Sequence, residues 1–300
     1  MPRTQWLALR QRYESALRSF TASSKTFEVL DTLVTSIQNH SPKKESTAAN
    51  TPPLSTLYVL DSSFNPPTLA HLHIAKSALT SSSHDLRSVK LLLLLATQNA
   101  DKPATPALFE DRLVMMNLFA RDLLASISYD RNARALPTVD IGVTSRPYFI
   151  DKASSIAASG VYNPSDVQQV HLTGYDTLIR IFEPKYYPPA HTLEPLGPFL
   201  DKHRLRVTVR PDDAWGAGAE QRRFVEGLRD GALEAIKGRR EWAERIEMVE
   251  EMSVGEGGDG AVSSTRVRQM AAKKYGEGLK RLVTESVAEY VLDGEFYVEG

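Results

Sequence analysis

The chain contains no cysteine. Disulfides, thiolate nucleophiles and zinc–sulfur sites are thereby excluded, and a reducing compartment fits. It has no run of about 18 apolar residues, so no membrane-spanning helix is expected. It also lacks an excess of charge: a net charge of -1 offers no broad footprint for nucleic acid or an anionic membrane. There is no Gly-x-Gly-x-x-Gly and no Walker-type loop, which argues against a dinucleotide-cofactor dehydrogenase and a P-loop ATPase. No internal repeat is visible. What remains is 300 residues, 42% hydrophobic and 24% charged, enough to bury a sizeable core.

Residues 1–38 read as one or two helices, and 40–53, with Pro42, Pro52 and Pro53, as a polar linker. The first 26 residues carry five Lys or Arg against Glu14 and several serines, a composition that would suit a mitochondrial presequence. Trp6, Leu9, Tyr13 and Leu17 instead follow a 3.6-residue period, and a packed amphipathic helix is preferred. The expected compartment is therefore the cytoplasm, extending to the nucleus. From residue 54 apolar runs alternate with helical patterns. Strands are expected at 55–61, 89–96, 167–173, 205–209 and 246–252. Helices are expected at 69–80, 108–125, 147–159, 176–182, 219–237, 263–274 and 284–292. The unbroken leucines of 91–95 suit a strand covered on both faces. This alternation predicts an α/β, doubly wound, Rossmann-like parallel sheet with helices on both faces. The expected division is an N-terminal helical extension over 1–53 and one catalytic-type domain over 54–300.

Two segments carry phosphate chemistry. Ser62-Ser63-Phe64-Asn65-Pro66-Pro67-Thr68-Leu69-Ala70-His71 lies between a strand and a helix. Thr68 and His71 then stand where unpaired backbone N–H groups begin a helix, a natural anion site. A lone histidine there is more often structural; the Ser-Phe-Asn-Pro context tips the reading to function. Farther on, Ser263-Ser264-Thr265-Arg266-Val267-Arg268 opens another helix. A serine or threonine can cap it, yet Arg266 and Arg268 oppose the helix dipole, and a bound anion would resolve that conflict.

Together these segments resemble the nicotinamide mononucleotide adenylyltransferase family of the HIGH-motif nucleotidylyltransferases. That family's Gly-Ser-Phe-Asn-Pro-x-Thr/His-x-x-His is matched from Ser62 to His71, with Ser62 where the glycine stands. Its Ile-Ser-Ser-Thr-x-x-Arg is matched from Val262 to Arg268, its Gly-x-Asp by Gly174-Tyr175-Asp176, and its Lys with Arg-x-x-Met by Lys102 and Arg112 to Met115. Tracts around Pro147-Tyr148-Phe149 and Pro184 to Tyr187 are similar to a divergent fungal branch. The resemblance implies that Ser63, Phe64, Asn65, Thr68 and His71 line the ATP phosphates, with His71 the main electrostatic stabiliser. It implies that Ser264, Thr265 and Arg268 hold the β- and γ-phosphates. Lys102 would neutralise the mononucleotide phosphate, and Gly174 and Asp176 would contact nucleotide sugar or base. For Lys102 and Asp176 the plain alternatives are a solvated lysine and a helix cap. The family's ring-stacking tryptophan after a Val-Asp step is missing after Val139-Asp140, and Tyr148 or Trp215 could replace it.

The implied reaction joins ATP and nicotinamide mononucleotide to give NAD and pyrophosphate, with Mg2+ bridging ATP oxygens and few protein ligands. Two other readings are compatible with the residues. One changes the acceptor to nicotinate mononucleotide, another nucleotide or phosphopantetheine. The other keeps the fold as an ATP-binding or protein-interaction module with little transfer activity.

Overall fold

Five consecutive leucines tolerate water on neither face, and Leu91 to Leu95 lie at the centre of a seven-stranded sheet. The computed structural model describes residues 2–34, 52–81, 85–98, 107–131, 136–163, 165–209, 215–250, 263–294 and 296–297. The strands are β1 (Phe27–Leu33), β2 (Thr56–Asp61), β3 (Val89–Ala96), β4 (Thr138–Thr144), β5 (Gln168–Gly174), β6 (Arg204–Val209) and β7 (Ile246–Glu250). Their order is β1-β4-β3-β2-β5-β6-β7, all parallel except β1, which runs antiparallel to β4. The parallel strands build outward from β2 in both directions. The switch point therefore lies between β2 and β5, where open α/β sheets bind ligands at the carboxyl edge.

The main helices are α1 (Arg3–Ala22), α2 (Leu69–Ser81), α3 (Phe109–Arg131), α4 (Phe149–Ala158), α5 (Tyr175–Ile181), α6 (Gly197–Leu200), α7 (Gly218–Arg229), α8 (Ser264–Ala272), α9 (Gly276–Lys280) and α10 (Glu285–Asp293). One core joins α1, α2, α3, α8 and α10 to one face of the sheet, and a second gathers α5, α6 and α7 against β6. No helix among the described residues is long and apolar enough to cross a membrane.

The helical reading of 1–38 is corrected in its second half. Trp6, Tyr13 and Phe20 do bury one stripe of α1, but Phe27–Leu33 is a strand. It covers the outer edge of β4, with a bulge between Val29 and Asp31. Asp31 accepts from Tyr13 and Asn117 at 2.9 Å each, and Thr32 donates to the buried Asp140 at 2.8 Å. These polar ties come from β1, α1, α3 and β4 at once, and local periodicity cannot register them. The strand β4 was absent from the expected elements for the same reason: Asp140 interrupts an apolar alternation, and its charge is met by Thr32, Tyr162 and Lys90. The expected helix 219–237 ends at Arg229, where Gly231 turns the chain at φ 92°. The expected linker 40–53 falls mostly outside the described residues.

Candidate functional site

The carboxyl end of β2 releases the chain into a loop from Ser62 to Thr68, and α2 begins at Leu69. In that loop Phe64 takes φ 44°, a left-handed conformation that is strained for an aromatic residue. Its ring is fully buried and packs on His71 at 5.5 Å between centroids. Phe64 therefore does not line the cavity. The loop turns its apolar side chain into the core, where it backs the imidazole, so the ring expected among the phosphate-lining groups is outside the cavity lining.

His71 is fixed from both sides. The Thr68 N–H, which can only donate, points at Nδ1 from 3.0 Å, and the Thr68 hydroxyl lies 2.8 Å from the same atom. The network thus assigns the lone pair to Nδ1 and the proton to Nε2, which donates to Ser62 Oγ at 2.9 Å. The Thr68 N–H to Nδ1 bond is one half of a capping-box pattern, with a histidine in the third helical position. It also revises the picture of a bare helix start. The Thr68 N–H is taken by His71, and the Leu69 N–H by the Leu282 carbonyl at 2.8 Å.

The second phosphate segment folds onto the first. Ser263 caps α8 by accepting from the Arg266 N–H. Ser264 Oγ donates to the Pro66 carbonyl at 3.0 Å, and Arg268 Nη1 donates to the Asn65 carbonyl at 2.9 Å. Arg268 Nη2 is held by Thr265 Oγ1 at 3.0 Å. Tyr297, beyond α10, donates to Asn65 Oδ1 at 2.9 Å. Two stretches far apart in the chain are thereby joined at one sheet edge.

Between them lies a cavity of about 500 Å³ at the β2/β5 switch point. Of the expected site residues, Ser63, Asn65, Thr68, His71, Gly174, Asp176, Ser264, Thr265 and Arg268 line it. Lys102 lies outside the described residues. Gly174 is the N-cap of α5, so Asp176 stands in that helix's first turn. Arg266 is not in the lining, nor are Tyr148 and Trp215. Trp215 packs edge-on against Tyr175 at 6.1 Å. Ile141, which follows the Val-Asp step, is buried in the core.

Three contributors were not among the expected site residues. Ser62, the residue in the glycine position, needs no left-handed backbone and supplies the Oγ that receives the His71 proton. Thr173 Oγ1, at the end of β5, is buried in the cavity wall and lacks a partner among the described residues. Arg112, named only as part of a motif, lines the cavity from the first turn of α3 while 2% exposed. Burial lowers its pKa from the usual arginine value; Tyr297 partly opposes this and Arg268 adds to it. Asp61, also in the lining, is paired with Lys152 at 2.6 Å. No group of three or more metal-ligating side chains occurs among the described residues.

This arrangement offers hydroxyls, an imidazole N–H and guanidinium donors to one polyanion-sized space. A Schizosaccharomyces pombe protein provisionally named as a nicotinamide mononucleotide adenylyltransferase is 33% identical over 236 residues, covering 78% of this chain and 83% of its own. Among solved structures, a Plasmodium falciparum nicotinic acid mononucleotide adenylyltransferase complexed with NaAD matches at 13% identity and a TM-score of 0.45. The same enzyme complexed with APC matches at 12% and 0.47, and each match covers 81% of this chain and 97% of that one. No family model matches the chain.

Proposed function

We propose that this chain, which belongs to the nicotinamide mononucleotide adenylyltransferase family, transfers the adenylyl group of ATP to nicotinamide mononucleotide, giving NAD and pyrophosphate. The observation that carries this reading is the pair of bonds from Ser264 and Arg268 to the carbonyls of Pro66 and Asn65. They hold a guanidinium and two helix starts around the cavity that Thr68 and His71 line.

In the proposed reaction a phosphate oxygen of the mononucleotide attacks the α-phosphorus of ATP. The bond from that phosphorus to the bridging oxygen breaks, and pyrophosphate leaves with the electron pair. The nucleophile is already anionic near neutral pH, so no general base and no covalent enzyme intermediate are required. Catalysis reduces to alignment and charge stabilisation. His71 would present its Nε2 proton to the phosphate chain in exchange for Ser62. Arg268, Thr265 and Ser264 would hold the departing end, Lys102 the mononucleotide phosphate, and Gly174 and Asp176 the nucleoside part. Magnesium would arrive with ATP and supply charge neutralisation on its phosphates. The lining fits that arrangement: among the described residues its carboxylates are Asp61, already paired with Lys152, and Asp176, too few for a protein-built cage.

A second reading retains the transfer and changes the acceptor to nicotinate mononucleotide. It is kept open by one observation: among the described residues neither Tyr148 nor Trp215 is in the lining, so neither discriminates the amide of nicotinamide from the carboxylate of nicotinate. Mass-spectrometric identification of products from ATP, Mg2+ and each candidate acceptor tests both. NAD as the dominant product supports the first, the deamido product the second. Binding of ATP without any dinucleotide product would leave only a binding module.

A further inference from the structure

Arg112 is placed where a cation is hard to keep. Its side chain is almost wholly buried, yet it forms no ion pair among the described residues. Its Nε donates to the Ala107 carbonyl at 2.9 Å, and its guanidinium lies over the Phe109 ring at 4.9 Å. The adjacent carboxylate, Asp111, is engaged elsewhere: it accepts from Arg10 at 2.7 Å and from Tyr290 at 2.9 Å. A desolvated guanidinium normally carries a carboxylate or phosphate partner, because water has been removed and a single carbonyl does not replace it. This one faces the cavity instead, close enough to Arg268 for the two charges to repel.

We propose that Arg112 contacts the β,γ-diphosphate of ATP, and hence the leaving pyrophosphate, as a second guanidinium opposite Arg268. The assignment rests on the adenylyl-transfer reading above. The chemistry matches the class of ligand: a diphosphate brings several negative charges and oxygens spaced for two planar forks. Arg268 spends two donors on Asn65 and Thr265, and Arg112 one on Ala107, so both keep N–H groups for oxygen acceptors. An anion shared by the two cations would offset their mutual repulsion. The bonds from Arg10 and Tyr290 to Asp111 serve this geometry. They hold the first turn of α3 and occupy the adjacent carboxylate.

The test uses the full-length protein and inorganic pyrophosphate as probe, with no acceptor present. Calorimetric Kd and the melting temperature are measured for the wild type, Arg112→Met and Arg112→Lys. Arg112→Met should weaken pyrophosphate binding about 10- to 100-fold, the loss expected for charge-assisted bonds. Its ligand-free form should melt at or above the wild-type temperature, because an unpaired buried charge has been removed. Arg112→Lys should fold and bind with intermediate affinity, since a lysine keeps the charge and loses the fork. A merely structural Arg112 would give the reverse: a lower melting temperature for Arg112→Met and unchanged affinity. If Arg112→Met does not fold, wild-type affinity in Arg112→Lys overturns the assignment. If the wild type forms no NAD in a separate assay with ATP and nicotinamide mononucleotide, while Arg112→Met still loses pyrophosphate affinity, the acceptor reading falls and Arg112 stands. If both variants bind as the wild type does, Arg112 alone falls.

Discussion

His71 uses its two nitrogens for different tasks. Nδ1 accepts from Thr68 and closes the start of α2, while Nε2 carries the proton that faces Ser62 at the cavity wall. The tasks can be separated by amide substitution. In His71→Asn the amide oxygen can occupy the Nδ1 position and keep the cap, whereas the Nε2 donor is lost. In His71→Gln a donor can reach the Nε2 position. We expect His71→Asn to lower kcat by about 10²–10³, the cost of removing a main oxyanion-type donor, with a melting temperature near the wild type. His71→Gln should retain more turnover. Steady-state NAD formation, read beside a thermal melt, checks both, and near-normal turnover in His71→Asn would remove the imidazole from the mechanism. At this scale the sequence was legible for residue type and less so for direction. Thr68, His71, Ser264 and Arg268 reach one cavity as their motifs implied. Phe64 does not, because a left-handed backbone sends its ring inward, and spacing alone does not encode that turn. Arg112 stayed hidden because only burial without a carboxylate partner makes it unusual.

Single elements were readable where one physical cause dominates. The leucines of β3 and the apolar stripe of α3 each declare their partner face, and both appear where periodicity places them. The readings failed at β1 and β4, whose polar residues are satisfied only by distant chain segments. Asp140 is 1% exposed, and its three ties come from β1, β3 and the turn after α4. The consequence is energetic. The N-terminal extension buries Trp6, Tyr13, Phe20 and Phe27, and its Arg10 holds Glu110 and Asp111 at the start of α3. Burying an aromatic of this size contributes about 1.5–3 kcal/mol, so the four together rival the 5–15 kcal/mol stability of a typical domain. Removing β1 would also leave β4 as a bare edge. A chain beginning at residue 54 should therefore be aggregated or uncooperative in its unfolding, as gel filtration and circular dichroism would report. A soluble monomer with a sharp melt would show that 1–53 is indeed an appendage.

For the molecule as a whole, the alternation of strands and helices was enough to predict the doubly wound sheet, whereas the strand order, which it did not supply, is what places the switch point and the cavity. The alternation carried no information on how charge is buried, and that governs the response to pH. Two histidines lie beneath the sheet edge near α4. His171 Nε2 donates to Gln169 Oε1 at 2.9 Å; the amide is oriented by its own bond to the Ala153 carbonyl. His203 Nδ1 accepts from the Gln169 N–H at 3.1 Å. Burial, followed by the charges of His203 and Lys152, pushes His171 down to about 3. Burial, followed by Lys202, pushes His203 down to about 4. Each binds its proton in the unfolded chain near pH 6.5 but resists it in the folded one. Their contribution is thus intact above pH 6.5 and declines as pH falls from there toward 4, by up to about 1.4 kcal/mol per pH unit for each histidine. The alkaline limit has the opposite sign. Burial raises Tyr13, Tyr162, Tyr187, Tyr290 and Tyr297, so the unfolded chain loses phenolic protons near pH 10 before the folded one does. Unfolding free energy, followed by urea titration, should form a plateau between about pH 7 and 9.5. Its acid arm should become shallower in His171→Gln while the alkaline arm stays unchanged. An acid arm of wild-type slope in that variant would mean that carboxylates, and not the buried imidazoles, set the limit.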